Sequence, residues 1–219
     1  MTWTLPNILT VLRLLAAPMI AVMFLSLPRP FADMAALVLF CVASVTDYLD
    51  GYLARKWQQV TKLGAMLDPI ADKAMVVIAL MVIVGFSSLS LALVLPAAII
   101  LFREVFVSGL REFLGDTAGT LKVTKLAKWK TASQMVAIAV LLAQGIFEHY
   151  FGMWSWGMDQ ALVAEILAGT ATDELGLRIV YHGAVWSSQG GLLLLWIAAG
   201  LTLITGVDYF RKAAPHLKD

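Results

Sequence analysis

Soft metal ligands are almost missing from this chain of 219 residues, which has one cysteine and three histidines. A thiolate metal site is therefore excluded, and the lone Cys41 cannot close an intramolecular disulfide. Set in an apolar run, Cys41 reads as a small buried hydrophobe. Charge is also scarce: 14% of residues are charged and 60% are hydrophobic, whereas roughly a quarter of a soluble domain is charged. The formal charges nearly cancel, to +1, so no basic excess calls for nucleic acid. No basic segment precedes the first apolar stretch, and Arg13 lies within it, which argues against a cleaved signal peptide. No repeat or low-complexity segment stands out.

Long apolar runs fill the space that charge leaves. Leu9 to Leu27, Phe31 to Val45, Leu67 to Phe86, Leu89 to Phe106, Lys130 to Phe147 and Val185 to Val207 are candidate spans. They predict an all-α polytopic membrane protein of one domain, residues 1–219, with six transmembrane helices. Several runs are shorter than the ~20 residues a bilayer requires, so they must continue as helix into their polar flanks. With the N-terminus cytoplasmic, Arg55, Lys56, Lys62, Arg103, Arg111, Lys122, Lys125, Lys128, Lys130, Arg211, Lys212 and Lys218 lie inside. Only Arg29 and Arg178 then lie outside, as the bias of basic residues toward the cytoplasm demands. Trp3, Trp57 and Trp129 fall near the inner interface, and Trp154, Trp156 and Trp186 near the outer one. Residues 150–184 carry no convincing span and read as an outer loop or interfacial insertion.

One window carries the chemistry. Asp47, Asp50, Gly51, Ala54, Arg55, Gly64, Asp68 and Asp72 form the pattern D-x2-D-G-x2-A-R-x8-G-x3-D-x3-D. Average residue usage gives a chance match on the order of 10⁻¹⁰ per starting point. At about 100° per residue, Asp47, Asp50, Gly51 and Ala54 share one sector of a helix, while Gly64, Asp68 and Asp72 form a stripe one turn apart. A short turn around Gln58 to Lys62 makes the two helices antiparallel, with four carboxylates facing one another at the mouth. Such a cluster repels itself unless cations lie in it, and oxygen-only ligands select a hard divalent ion such as Mg²⁺, Mn²⁺ or Ca²⁺. The small residues on the same stripes let a ligand or an opposing backbone approach closely. Ionised carboxylates at a membrane helix end are expensive, which makes them functional candidates. Cation transport would also use carboxylates between helices, but near the midplane.

Two further regions face the same side. Thr4-Leu5-Pro6 reads as a helix start, and Asn7, Thr10 and Arg13 then share one sector, as a buried site or as an interfacial polar face. From Arg103 to Lys130 the chain is cationic, with Gly115 and Gly119 as helix breaks. Arg111, Lys125 and Lys130 are candidates to meet an anionic substrate, and Arg103 is as well suited to pair with Glu104.

The window resembles the signature of the CDP-alcohol phosphotransferases, which replace the CMP of a CDP-linked lipid or alcohol with an acceptor hydroxyl. Pro6-Asn7-x2-Thr10-x2-Arg13, Pro69 with Asp72-Lys73, Arg103-Glu104 with Arg111, and Lys128-x-Lys130-Thr131-x2-Gln134-Met135 extend the likeness over residues 5–145. The resemblance implies an N-terminal interfacial helical segment before the six spans, a polar cytoplasmic cavity in a bacterial inner membrane, and a homodimer. It implies two Mg²⁺ or Mn²⁺ ions held by Asp47, Asp50, Asp68 and Asp72, with Asp72 also the catalytic base. Asn7, Thr10, Gly51, Ala54, Arg55 and Gly64 are then the CDP-binding residues. The expected donor is CDP-diacylglycerol and the expected acceptor sn-glycerol 3-phosphate, its phosphate met by Arg111, Lys125, Lys130 and Arg103. Inositol phosphate, serine or phosphatidylglycerol are the alternative acceptors within the family.

Overall fold

The computed structural model describes residues 4–57, 61–87, 89–115 and 125–217, with the side chains of residues 48, 52–55 and 125 outside that description. Among them there is no strand. The helices are α1 (Leu5–Ser26), α2 (Phe31–Lys56), α3 (Lys62–Phe86), α4 (Leu91–Leu114), α5 (Lys125–Trp154), α6 (Gln160–Ala168) and α7 (Leu177–Ala213), followed by a 3₁₀ turn, Ala214–Leu217. All but α6 are long and apolar enough to cross a membrane. The expected extension into polar flanks is what occurs: α2 runs past the first two aspartates to Lys56, and α3 begins at Lys62. Among the described residues no separate helix precedes the first span: α1 opens at Leu5 and runs unbroken to Ser26.

The ends of the helices follow from local chemistry. Pro6 sits in the first turn of α1, where its missing N–H costs nothing, although Thr4 makes no side-chain cap. Thr61 caps α3 by accepting from the Gly64 N–H at 3.0 Å. At its other end, α4 stops at Gly115, whose φ of 52° suits a residue without Cβ. Gly119 and residues 58–60 of the expected turn lie outside the described residues. Pro96 interrupts α4 and cannot donate to the Ala92 carbonyl; Trp196 Nε1 of α7 donates to that oxygen instead, at 3.1 Å. Asp173 accepts from the Leu177 and Arg178 N–H groups at 2.7 and 3.0 Å and so caps α7. Those backbone donors hold its carboxyl below the ordinary carboxylate range.

Packing divides the helices into two groups. α1 lies against α2 and α3, while α5 and α4 lie against α7, and α2 with α5 forms the main seam between them. The shared core is rich in alanine, with Ala17, Ala36, Ala79, Ala137 and Ala198 all buried, and small side chains let membrane helices approach closely. Many large apolar residues face outward, such as Leu25, Phe102 and Trp186, as a lipid-facing surface requires. Cys41 belongs to that surface: it is exposed on α2 and not buried in the core as its apolar surroundings suggested. Periodicity shows that a residue is in an apolar helix but not which neighbour covers it. Within residues 150–184, α5 runs on to Trp154, α6 covers Gln160–Ala168 and α7 starts at Leu177. At the end of the molecule away from the aspartates, Arg29 pairs with the buried Asp33 and stacks over Phe86 at 5.8 Å. The Asp33 bond holds the Arg29 pKa above its usual value.

Glycine sets the closest contact in the α5–α7 pair. A Cβ on Gly183 would overlap the Phe147 ring, whereas one on Gly200 of the same helix meets nothing within 4 Å. Gly183→Ala is therefore expected to cost about 1 to 3 kcal/mol by overpacking, and Gly200→Ala to be neutral or slightly stabilising through helix propensity. Thermal unfolding of the two variants in detergent checks this, and equal midpoints would remove Gly183 from the packing argument.

Candidate active site

Arg13 stands at the centre of the carboxylates. Its guanidinium donates from Nη1 to Asp47 Oδ1 at 2.6 Å and to Asp72 Oδ1 at 3.0 Å, and from Nη2 to Asp50 Oδ2. One cation from α1 thus bridges two aspartates of α2 and one of α3. Asp68, the fourth, is held by the Thr10 hydroxyl at 2.7 Å. The face of α1 that the sequence left as either buried or interfacial is buried, because Asn7, Thr10 and Arg13 are all enclosed.

The four carboxylates are not equivalent. The Asp50 side chain is 4% exposed, while those of Asp47 and Asp72 are 42% and 51% exposed and open on a cavity of about 280 Å³. Four carboxylates and one guanidinium leave three formal negative charges. Among the described residues no three Asp, Glu, His or Cys side chains stand ready to hold a metal ion, and Asp47, Asp50 and Asp72 are paired with Arg13. The donor set nevertheless fits hard divalent cations. Every ligand on offer is an oxygen, and the net charge after Arg13 is still strongly negative.

Cations line the same cavity. Lys73, Arg111 and Lys130 line it together with Glu104, Thr131 and Gln134. Lys130 pairs with Glu104, and Lys73 bonds to Ser108, whose hydroxyl in turn donates to the Glu104 carbonyl at 2.6 Å. Of the residues expected to meet an anion, Arg111 and Lys130 therefore reach the cavity. Arg103 is turned away: it approaches Glu104 at 3.4 Å and runs its stem across Gly206, where a Cβ would lie 3.0 Å from Cγ. The side chain of Lys125 lies outside the description, as do those of Ala54 and Arg55. Lys73, Glu104 and Gln134 entered the sequence reading only within the family-like runs, Glu104 and Gln134 on what the resemblance implies is the acceptor side, and were not named as site residues. Lys73 adjoins Asp72 and Gln134 lies one turn from Lys130, so the helical period was the signal that could have found both.

Gly64 answers the question its stripe raised. A Cβ there would come within 2.8 Å of Asn7 Oδ1, so the missing side chain admits α1 to α3. A chain of hydrogen bonds fixes this contact: Gly64 N–H donates to Thr61 Oγ1, which donates to Asn7 Oδ1 at 2.7 Å. Gly51 is half-buried beside Asp50 on α2.

Paired carboxylates and fixed cations lining one cavity are suited to phosphoryl-group transfer. Residues 3–168 match the sequence profile described as CDP-alcohol phosphatidyltransferase. The chain belongs to that family. It is similar over its whole length to a protein of Cereibacter sphaeroides named CDP-diacylglycerol–glycerol-3-phosphate 3-phosphatidyltransferase, at 58% identity over 100% of this chain and 99% of that one. Proteins of the same name from Pseudomonas fluorescens and Escherichia coli K12 are 39% and 34% identical; they align with 97% and 100% of this chain and with 91% and 100% of their own length. A membrane enzyme family of group transfer replaces the cation-transport alternative, and the chain is a multi-pass membrane protein.

Arg13 should matter for the fold before any substrate arrives. Breaking a buried ion pair by removing one partner costs about 3 to 5 kcal/mol, and Arg13→Ala strands Asp50 with no guanidinium at all. In EDTA-containing buffer the Arg13→Ala protein is expected to unfold at a clearly lower temperature than wild type, with Arg13→Lys between the two. An unchanged midpoint would show that the carboxylates do not need this cation.

Proposed function

We propose that the chain transfers the phosphatidyl group of CDP-diacylglycerol to sn-glycerol 3-phosphate, giving phosphatidylglycerophosphate and CMP. The observation that carries this reading is the single cavity in which Asp47 and Asp72 face Lys73, Arg111 and Lys130. The names of full-length relatives support the same donor and acceptor. We read residues 1–219 as one domain, a homodimer in a bacterial inner membrane, with the cavity on the cytoplasmic side and residues 150–184 as the outer insertion. The concentration of basic loop residues at the aspartate end supports that orientation.

In this reading Asp47, Asp50, Asp68 and Asp72 hold two Mg²⁺ or Mn²⁺ ions. Bound there, such ions neutralise the pyrophosphate and stabilise the leaving phosphate. Asn7, Thr10, Gly51, Ala54, Arg55 and Gly64 hold the CDP moiety. Arg111, Lys130 and Lys125 bind the acceptor phosphate, with Arg103 acting through Glu104. Asp72 is the base. It has the most exposed side chain of the three that Arg13 bridges, and it adjoins the cationic wall. The 1-hydroxyl oxygen attacks the diacylglycerol-bearing phosphorus, the hydroxyl proton passes to the Asp72 carboxylate, and the bond to the CMP oxygen breaks, so CMP leaves with the electron pair.

The deciding assay measures CMP release from CDP-diacylglycerol by the purified protein, offered glycerol 3-phosphate, inositol phosphate, serine or phosphatidylglycerol in turn. Release is expected with glycerol 3-phosphate alone, to stop in EDTA and to return with Mg²⁺ or Mn²⁺. Full turnover in EDTA would reject the divalent ions. Asp72→Asn should still bind CDP-diacylglycerol while its rate falls by about 10² to 10⁴ or more, the usual contribution of a general base.

The acceptor side makes its own demand. Loss of one charge-assisted contact weakens binding by roughly 1.5 to 3 kcal/mol, which is about 10- to 150-fold. Arg111→Ala and Lys130→Ala are each expected to raise the glycerol 3-phosphate KM by such a factor and to change the CDP-diacylglycerol KM much less. Equal losses toward both substrates would assign these residues to folding or orientation instead.

A further inference from the structure

Gln134 is enclosed on α5, at 3% exposure, and lines the cavity. Its Oε1 is buried with no hydrogen-bond partner among the described residues. A buried amide oxygen left unpaired is uncommon in a folded protein and asks for a reason. The other uncharged polar side chain on this wall, Thr131, donates its hydroxyl to the Ala127 carbonyl of its own helix at 3.2 Å. Val76, Pro69 and Met135 complete the wall without polar side-chain groups that could serve Gln134. The amide oxygen is therefore an acceptor on a cavity-lining side chain that nothing among the described residues satisfies.

Its place on the wall suggests what does. Lys130 and Gln134 are four residues apart and so lie one above the other on the same face of α5, about 6 Å apart along the axis. An acceptor whose phosphate meets Lys130 and Arg111, and whose reacting hydroxyl meets Asp72, carries its central carbon past the Gln134 side chain. We propose that Gln134 is a specificity-determining residue: its Oε1 accepts a hydrogen bond from the secondary hydroxyl of a three-carbon polyol phosphate. This inference rests on the proposed acceptor class and adds the group within that acceptor that is read. It makes a chemical distinction that the cations cannot, since they recognise only phosphate. A site that leaves a buried polar atom unpaired rejects the analogue lacking the matching hydroxyl.

The experiment compares sn-glycerol 3-phosphate with 3-hydroxypropyl phosphate, which keeps the phosphate and a primary hydroxyl and lacks only the secondary one. CMP release is measured with each acceptor for wild type, Gln134→Met and Gln134→Leu, the first variant preserving shape should the second fail to fold. Wild type is expected to prefer glycerol 3-phosphate in kcat/KM by roughly tenfold or more, the worth of one such bond. In the variants that preference should collapse toward unity, because glycerol 3-phosphate loses rate and the analogue does not. Release with glycerol 3-phosphate but an unchanged preference, or an equal loss for both acceptors, would overturn the role of Gln134 and leave the reaction standing. No release from wild type with glycerol 3-phosphate would overturn the proposed reaction, and this inference with it.

Discussion

The buried guanidinium of Arg13 is the interaction on which the site depends. A charge in a membrane helix is expensive unless it is paired and hydrogen-bonded, and Arg13 is 2% exposed. It meets that requirement by reaching two other helices at once, to Asp47 and Asp50 on α2 and to Asp72 on α3. The pairing works in both directions. The aspartates could not be brought together on facing helices without a cation among them, and the cation could not be enclosed without the aspartates. α1 thus belongs to the candidate site as much as the two helices that carry the motif. Arg13 leaves the cluster anionic, because one charge cannot balance four, and that excess gives divalent ions a reason to bind.

The remaining polar contacts hold the cationic wall apart from the anionic one. Lys73 follows Asp72 directly, but neighbouring residues on a helix do not face each other, and Lys73 turns to Ser108 on α4. Glu104 on the same helix receives Lys130 from α5. α4 therefore holds a lysine from α3 and another from α5 at its own side of the cavity. Without those partners the lysines would be free to turn toward Asp72, and the cavity would lose the separation of its cations from its carboxylates.

How much of this was legible in the sequence follows from the range of each signal. The aspartate stripes were legible because their spacing matches the helical period, and so was the extension of α2 and α3 into polar flanks. The six spans were legible from length and hydropathy alone. What joins the helices was not. Arg13 is one polar residue in an apolar helix, and on sequence terms an interfacial face explains it as well as a buried one. The contact of Gly64 with Asn7 depends on how α1 crosses α3, and the pairing of Glu104 with Lys130 spans 26 positions. Cys41 shows the limit most simply, since the same apolar run can face protein or lipid. Arg103 shows a different one: a cation in a cationic stretch can serve the scaffold of the site, here against Glu104 and Gly206, without entering the cavity.

Small residues set how precisely these charges are placed. The distance between a carboxylate on one helix and a cation on another is fixed by how closely the backbones approach, and in a membrane that approach is limited by side-chain size, since lipid gives little hydrophobic drive for helices to associate. Gly64 lets α1 reach α3 at the level of the aspartates, and Gly206 lets the Arg103 stem lie on α7. Alanines through the core do the same for α1, α2, α5 and α7. The cost of an off-position charge rises steeply in a medium that screens poorly. The glycines and alanines distant from the cavity are in this sense part of its electrostatics: a displacement of either helix group along the α2–α5 seam changes the separation of the two charged walls before it changes any contact within them.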